Sequence, residues 1–472
     1  MQRVVTVHFV LGAFLLVQGG VARLIGGERY ATYGEVRQVL AALSDVLPAD
    51  LRADGPVRAA AAWNRWVVEH DREIRNRLAR GDEDTIVNWL LFGTSFTDRP
   101  RALLDRPSNA AGTSDAGAEA ARLAQLVAGR TRDLAAALCM TGADERRRFA
   151  KRLLEQKGYR CSAAEDRKRL EEYLLAEVAR IAREEAVYAR NLADIRKLSD
   201  ATAEFAARSR LFSTRGLSLD TSMLPSFAVE RALEVMRKGE LISPTSIRRV
   251  AIVGPGLDFS DKGSGYDFYP QQTVQPLTLI DSLVRLNLAP GPEAVEVTTL
   301  DISERVNEHL RTVTGRARSG SPSMLRFPLD LGLPWTPEVI DYWRRVGNQI
   351  GAEAQAPKAP AIGRQLAVRA VRIRPDVLMR IVPRDFNVVT ERWNGAPFDL
   401  IIATNVLVYY DTLDQSLALA NIEAMLRPGG ILLSNDALLE LPVSGMRSLG
   451  YLTVSYSTPG DNGDHIVWYR RG

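Results

Sequence analysis

The chain has 472 residues, enough for two or three domains, and its 46% hydrophobic and 25% charged content is that of an ordinary soluble globular protein. Sixty-one Lys and Arg stand against 57 Asp and Glu, so the surface is balanced and carries no nucleic-acid footprint of clustered basic residues. Two cysteines, Cys139 and Cys161, and four histidines exclude most metal sites readable from sequence: there is no Cys-x-x-Cys and no His-x-x-x-His, and no metal is expected.

Met1-Gln-Arg3 precedes an apolar run, Val4 to Val17, interrupted only by Thr6 and His8, and then Gln18-Gly-Gly-Val-Ala22. A basic start, an apolar core and a small-residue end make residues 1–22 a signal peptide, cleaved after Ala22, or else an uncleaved membrane anchor. The apolar core falls short of the ~20 residues of a spanning helix. A buried amino-terminal helix and an over-extended start stay open as alternatives.

From about Tyr30 to Phe212 the pattern is helical. Val36, Val39, Leu40, Leu43 and Leu47 recur at helical spacing up to Pro48. Trp63, Trp66, Val67, Ile74 and Leu78 mark a second amphipathic helix that stops at Gly81, with Asp82 capping a third that carries Ile86 to Phe92. Residues 107–117, rich in Ser, Gly, Ala and Asn, read as a linker between helical regions 23–106 and 118–212. A long helix over Ala163 to Leu198 bears a near-heptad stripe, including Leu170, Leu174, Val178 and Ile181, which fits a short coiled coil or one arm of a bundle. These helices are expected to cover the half that follows or to join copies of the chain in a homo-oligomer. Cys139 and Cys161 would pair in an oxidising compartment and stay isolated thiols in the cytosol.

At about residue 213 the character changes. Ser226 to Lys238 reads as a helix, Arg249 to Val253 as a strand, and strand–helix alternation runs to the end. That order predicts an α/β fold, doubly wound around a mostly parallel sheet, over residues 213–472. The last two strands, Tyr451 to Ser457 and His465 to Tyr469, are joined by a short loop and form an antiparallel hairpin. Between Asp301 and Asp385 the chain is longer than one helix and one strand require. An insertion at about 315–375 is expected there, shaping a pocket at the carboxyl edge of the sheet. Its basic run, Arg364 to Arg374, is the one place to look for a phosphate partner, although a solvated strand face explains it equally well.

Chemistry gathers at the strand ends. The first strand runs into Val253-Gly254-Pro-Gly256-Leu-Asp258-Phe259, where glycines let the backbone turn sharply and approach a ligand. Val295 to Asp301 is a second strand ending in an acid, placed to accept two ribose hydroxyls or else to cap the helix at Ser303 to His309. Arg380 to Phe386 reads as a third strand or a surface turn. Leu400 to Ala403 is an apolar run ending in Thr404 and Asn405, as in a buried parallel strand delivering polar groups to the sheet edge. The following helix is expected to stop at Pro428-Gly429-Gly430, with a new strand starting at once. Gly263 to Pro270 is an aromatic-rich candidate for the site rim.

Phe398-Asp-Leu-Ile-Ile-Ala-Thr-Asn405-Val-Leu-Val-Tyr-Tyr-Asp411 and Met425-Leu-Arg-Pro-Gly-Gly-Ile-Leu-Leu433 resemble the fourth and fifth strands of class I S-adenosylmethionine (SAM)-dependent methyltransferases. Asn405 to Asp411 is most similar to the chemotaxis-receptor glutamate methyltransferases. The resemblance covers about residues 213–472 and implies SAM as the cofactor. Gly254 and Gly256 would face its methionine part, Asp301 the ribose, Asp385 and Phe386 the adenine, and Thr404 and Asn405 the sulfonium. Asn405, Tyr409 and Tyr410 would stand nearest the transfer step, and Tyr409, Tyr410 or Asp411 is where a base for a hydroxyl or amine acceptor would be sought. Two departures from the family stand out: Ile252 where many members have an acid, and Asp258-Phe259 where a third glycine is common. Asp258 then becomes the candidate partner of the methionine amino group. The chemotaxis-type first motif is absent, so the receptor-glutamate substrate does not carry over. The implied activity is methyl transfer to an unidentified acceptor, a small molecule or a protein carboxylate. The alternative is a non-catalytic binding or assembly protein of the same fold. A nicotinamide oxidoreductase lacks its full Gly-x-Gly-x-x-Gly here. Location is pulled both ways, since residues 1–22 suggest export or membrane association and SAM use suggests the cytoplasm.

Overall fold

The computed structural model of the chain describes residues 29–53, 55–102, 116–140, 144–161, 163–195, 197–198, 207, 211–212, 215–218, 220–259, 267–330, 335–358, 367–435, 437–458 and 463–472. The expected targeting segment, most of the 107–117 linker and residues 263–266 lie outside these. No helix among the described residues is long and apolar enough to cross a membrane.

The amino-terminal part contains β1 (Arg29–Tyr30), α1 (Tyr33–Ala42), α2 (Pro56–Phe92), α3 (Ala116–Cys139), α4 (Glu145–Gln156) and α5 (Ala164–Ile195). Then follow α6 (Leu224–Lys238), β2 (Arg249–Val253), α7 (Gln275–Arg285), β3 (Glu296–Asp301) and α8 (Glu304–Arg318). The insertion supplies β4 (Ser323–Asp330), α9 (Pro337–Arg345), β5 (Gly351–Ala354) and β6 (Ala367–Ile373). After α10 (Pro375–Leu378) come β7 (Ile381–Asp385), β8 (Glu391–Arg392), β9 (Phe398–Ala403), α11 (Thr412–Met425), β10 (Leu426–Ser434), β11 (Met446–Ser455) and β12 (Gly463–Arg471).

The main sheet has seven strands in the order β11-β12-β10-β9-β2-β3-β7. From β7 to β10 every pairing is parallel, whereas β12 is antiparallel to both its neighbours and is, among the described residues, the one reversed strand of this sheet. From β2 the chain builds outward through β3 to β7, then crosses back to β9 on the other side of β2. That reversal opens a crevice at the carboxyl ends of β2 and β9, where open sheets of this type take ligands.

β2 and β9 are buried almost end to end because both faces of the sheet are covered. One face carries Val250, Ile252, Val297, Leu400 and Ile402 against α6, α7, α8 and α9, with Phe227, Leu283, Leu310 and Trp343 among the packed residues. The other carries Ala251, Val253, Leu300, Ile401 and Leu432 against Leu417 and Ile422 of α11. That second face is completed by Val36 and Leu40 of α1 and by Trp63, Trp66, Val67 and Ile74 of α2.

Helix α2 does not stop at Gly81. It runs unbroken for 37 residues and carries its second half, with Ile86, Leu90 and Leu91, into a separate core with Leu134, Phe149, Leu170 and Leu174 of α3, α4 and α5. Gly81 marks a crossing instead: a Cβ there would stand 1.7 Å from the carbonyl oxygen of Leu217, in a segment that passes over the helix. Asp82 caps nothing and pairs with Arg305 at 3.1 Å.

Pro428-Gly429-Gly430 likewise lies inside a strand. The preceding helix ends at Met425, and β10 carries an irregularity between Leu426 and Ile431 that absorbs the three residues, with Gly429 at φ 74°. The insertion forms a three-stranded antiparallel sheet with β6 in the middle, which packs Leu325, Phe327, Val371 and Ile373 into the α6–α9 core. Within its basic run Arg369 is buried and donates to the carbonyl of Val346, so that residue offers no phosphate-facing charge. Cys139 and Cys161 are joined as a disulfide, with Cα atoms 5.2 Å apart, which closes a loop around α4.

Candidate functional site

The loop after β2 makes two left-handed steps, Gly254 at φ 61° and Gly256 at φ 62°, a region that glycine enters without steric cost. The first step also needs space: a Cβ on Gly254 would lie 2.5 Å from Cγ2 of Val406, in the loop that follows β9. Asn405, beside it, is a non-glycine residue at φ 58°. Its conformation is held by Asn435, whose Oδ1 accepts from the Asn405 backbone N–H at 2.8 Å and whose side-chain amide donates to Asn405 Oδ1 at 2.5 Å. Thr404 Oγ1 accepts from Gln275 Nε2 at 2.8 Å, tying the end of β9 to the first turn of α7.

Asp301 ends β3 and accepts from the Ser303 backbone N–H at 2.8 Å. The helix cap of α8 is Ser303 itself, which leaves Asp301 available to the crevice. Burial pushes the Asp301 carboxyl up to about 7, against backbone donors at Ser303 and Gly256 that favour its charged form. Phe386, buried, follows β7 and donates its backbone N–H to the Asp301 carbonyl at 3.3 Å. Tyr409 and Tyr410 leave a short turn after β9. Burial pushes the Tyr410 phenol upward.

Gly254, Gly256, Asp301, Phe386, Thr404, Asn405, Tyr409 and Tyr410 line one cavity of about 310 Å³. Its outer wall comes from far away in the chain: Leu78 of α2, Phe212, and a strap to which Leu217, Ser218, Asp220, Thr221 and Ser222 belong. Arg77 fastens this wall, donating to the carbonyls of Phe212 at 3.1 Å, Arg215 at 3.0 Å and Tyr409 at 2.9 Å. Leu217 N–H donates to the Arg77 carbonyl, and Thr221 N–H to the carbonyl of Leu257 just past the glycine loop. None of the wall residues was readable as a site residue. The run Leu219-Asp-Thr-Ser222 is polar, but nothing local to it announces a contact with residues more than thirty positions downstream.

Two expected residues lie elsewhere. Asp258 does not line the cavity and cannot meet a methionine amino group there. It is fully buried behind the loop and accepts from Tyr269 Oη at 3.1 Å and Gln272 Nε2 at 3.0 Å, with burial pushing its carboxyl up to about 6. Asp385 points outward, its side chain 44% exposed, and is taken by Arg75 of α2 at 2.8 Å. The same guanidinium holds Asp71 and Glu391. The rim expectation for residues 263–270 also fails where they are described. Asp267 turns toward α2 and accepts from Trp89 Nε1 at 2.6 Å and from Thr94 and Ser95. No described residue of the 315–375 insertion lines the cavity. Asp411 is the cap of α11, accepting from Asp414 N–H at 3.0 Å.

No protein-family model matches the chain, and no curated protein does either. Solved structures similar to it include TrmN from Thermus thermophilus, at 16% identity and TM-score 0.25, covering 52% of this chain and 52% of that one. The chain thus spans about half the length of TrmN. The N-methyltransferase NodS from Bradyrhizobium japonicum, solved with S-adenosyl-L-homocysteine (SAH), shows 11% identity and TM-score 0.26 over 53% of this chain and 89% of its own. Magnesium protoporphyrin IX methyltransferase ChlM from Synechocystis, solved with SAM, shows 11% identity and TM-score 0.24 over 60% and 90%. At such values the likeness transfers no residue role and no activity.

Proposed function

We propose that the cavity binds SAM and that the protein transfers its methyl group to an acceptor. The carrying observation is the placement of the cavity. It lies at the carboxyl ends of β2, β3 and β9 where the strand order reverses, with a glycine backbone on one side and the Asp301 carboxylate on the next strand. The lining suits such a ligand. Phe386, Val388 and Ile302 offer apolar walls to an adenine, and Asp301 offers an acceptor to ribose hydroxyls. A glycine at 256 lets the chain come close to the methionine part. The sequence resemblance over Asn405 to Asp411 supports the same assignment.

Bound SAM supplies a methyl group on a sulfonium, transferred by in-line displacement. The protein's part is to hold acceptor and donor aligned at near-attack distance and to exclude water. Asn405, locked by Asn435, presents a fixed polar group beside the expected transfer point, and Tyr409 lines the same wall. A carboxylate acceptor would need no general base, whereas for a hydroxyl or amine the base would be sought at Tyr409, Tyr410 or Asp411. A second reading, a binding or assembly protein of the same fold, draws on Asp258 being turned away from the cavity. Calorimetric titration with SAH and, separately, with NAD tests the proposal. SAH binding without NAD binding supports it, and NAD binding alone overturns it. Transfer of labelled methyl from SAM to a carboxylate-bearing acceptor separates catalysis from binding.

A further inference from the structure

We infer that Arg146 of α4 is a positioning residue for the glycine loop and that the Cys139–Cys161 disulfide keeps it in place, so that binding at the cavity depends on the redox state of this cysteine pair. The ligand rests on the proposed function; the link from disulfide to loop does not. Arg146 is 3% exposed and lies in the first turn of α4. Its guanidinium donates to the backbone carbonyls of Phe259 and Tyr269, to that of Asp267 at 3.3 Å and to that of Asp258 at 3.4 Å. It also lies over the rings of Phe259 and Tyr269, 5.6 and 5.9 Å from their centroids. One side chain thus fastens the end of the glycine loop to the segment that leads into α7. That segment touches the loop directly: Gln272 accepts from the Asp258 N–H at 2.7 Å, and Thr273 Oγ1 donates to the carbonyl of Gly256 at 3.3 Å. Glu145, beside Arg146, holds the same segment by accepting from Gln271 Nε2 at 2.5 Å.

The clasp is only as firm as α4, whose own hold is slender. It is a 12-residue helix, a length that is marginal in isolation. It buries Phe149, Ala150 and Leu154 in the core shared with α3 and α5, and Lys157 just past its end pairs with Glu83 of α2. The disulfide joins Cys139, the last residue of α3, to Cys161, just before α5, so both ends of the α4 segment are pinned at one place. Closing such a loop removes the displaced arrangements that the segment would otherwise sample. Both cysteines are partly exposed, within reach of a dithiol. In that exchange the S–S bond breaks, the two sulfurs take up two electrons and two protons as thiols, and the dithiol closes to its own disulfide.

The test uses the full chain, oxidised and after dithiothreitol, with SAH calorimetry beside amide hydrogen exchange at 257–259 and 267–273. Reduction should weaken SAH binding roughly fivefold or more, the loop then being in its binding arrangement about a fifth of the time or less. Reoxidation should restore it. Exchange should quicken in α4 and at the two loop segments, and stay slow in β3 and β9. Cys139→Ser/Cys161→Ser should bind like the reduced wild type with or without dithiothreitol, and Arg146→Met should do the same with its disulfide intact. If Arg146→Met does not fold, the reduced wild type and the double serine variant decide the matter. Unchanged affinity and loop exchange on reduction would make the disulfide a staple of the helices alone and overturn the inference. So would equal loss of protection in β3 and β9, which is general destabilisation, or a folded Arg146→Met that still responds fully to dithiothreitol. If the oxidised wild type binds no SAH while its loop exchange answers to reduction, the proposed function falls and the clasp is upheld.

Discussion

Asp301 joins two consequences in one carboxylate. Its ordinary value is 3.8 and burial raises it to about 7, so between those limits the folded chain keeps a proton that the unfolded chain has released. The sign follows from linkage: the contribution of Asp301 to stability is greatest at low pH and is lost as pH rises from about 4 to about 7. Asp301→Asn removes this dependence. Urea unfolding across that window should show the variant gaining on the wild type as pH rises, and a constant gap would refute the burial argument. Binding should move the opposite way. SAH affinity in the wild type is expected to rise as Asp301 ionises, and Asp301→Ala should cost about 1.5–3 kcal/mol for each hydroxyl bond lost. Unaltered affinity in calorimetry would remove Asp301 from the ribose. The eight cavity residues among those expected were legible because buried apolar runs mark strand ends, and the strand ends converge on one edge. Asp258 and Asp385 were not. The direction of a carboxylate one or two residues past a strand depends on partners such as Tyr269, Gln272 and Arg75, which sequence proximity does not reveal.

At the scale of elements, the same difficulty governs Gly81. A glycine after an apolar stripe reads as a helix end, yet α2 passes straight through it, because the residue is required by the strap and not by the helix. Helix propensity alone would have Gly81→Ala stabilise an interior position by about 1 kcal/mol. Contact with Leu217 reverses the sign. With the new methyl 1.7 Å from a backbone oxygen, the variant should lose about 1–3 kcal/mol in chemical denaturation, as overpacked sites do, and should bind SAH more weakly because the strap is displaced. A more stable variant would show that the strap does not rest on α2 in solution. Pro428-Gly429-Gly430 departs from its expected role as a helix stop for a related reason. Three turn-forming residues can end a helix or bulge a strand, and the parallel pairing of Leu426 with Phe398 selects the second. Regular elements held up better: the strands at Arg249, Leu400 and Ile431 declare themselves by unbroken apolar character, since both faces are covered.

For the whole molecule, composition divides the chain near residue 213, but the packing does not follow that line. Val36, Leu40, Trp63, Trp66, Val67 and Ile74 close one face of the main sheet. Burying side chains of this size is worth about 1.5–3 kcal/mol each, and a domain's net stability is only about 5–15 kcal/mol. Six such residues therefore compare with the whole margin of folding. A chain beginning at Ser213 should expose Leu300, Ile401 and Leu432, aggregate or unfold without cooperativity, and fail to bind SAH. A chain beginning at Arg23 retains α1, α2 and the strap, and is expected to keep the melting temperature and SAH affinity of the full sequence. Light scattering, thermal unfolding and calorimetry on the two truncated chains decide the matter. If the Ser213 chain is monodisperse and melts cooperatively, the amino-terminal helices are an appendage to a self-sufficient fold. If it also binds SAH with full affinity, then Leu78, Asp220 and the rest of the outer wall are dispensable, and the ligand is held by the sheet edge alone.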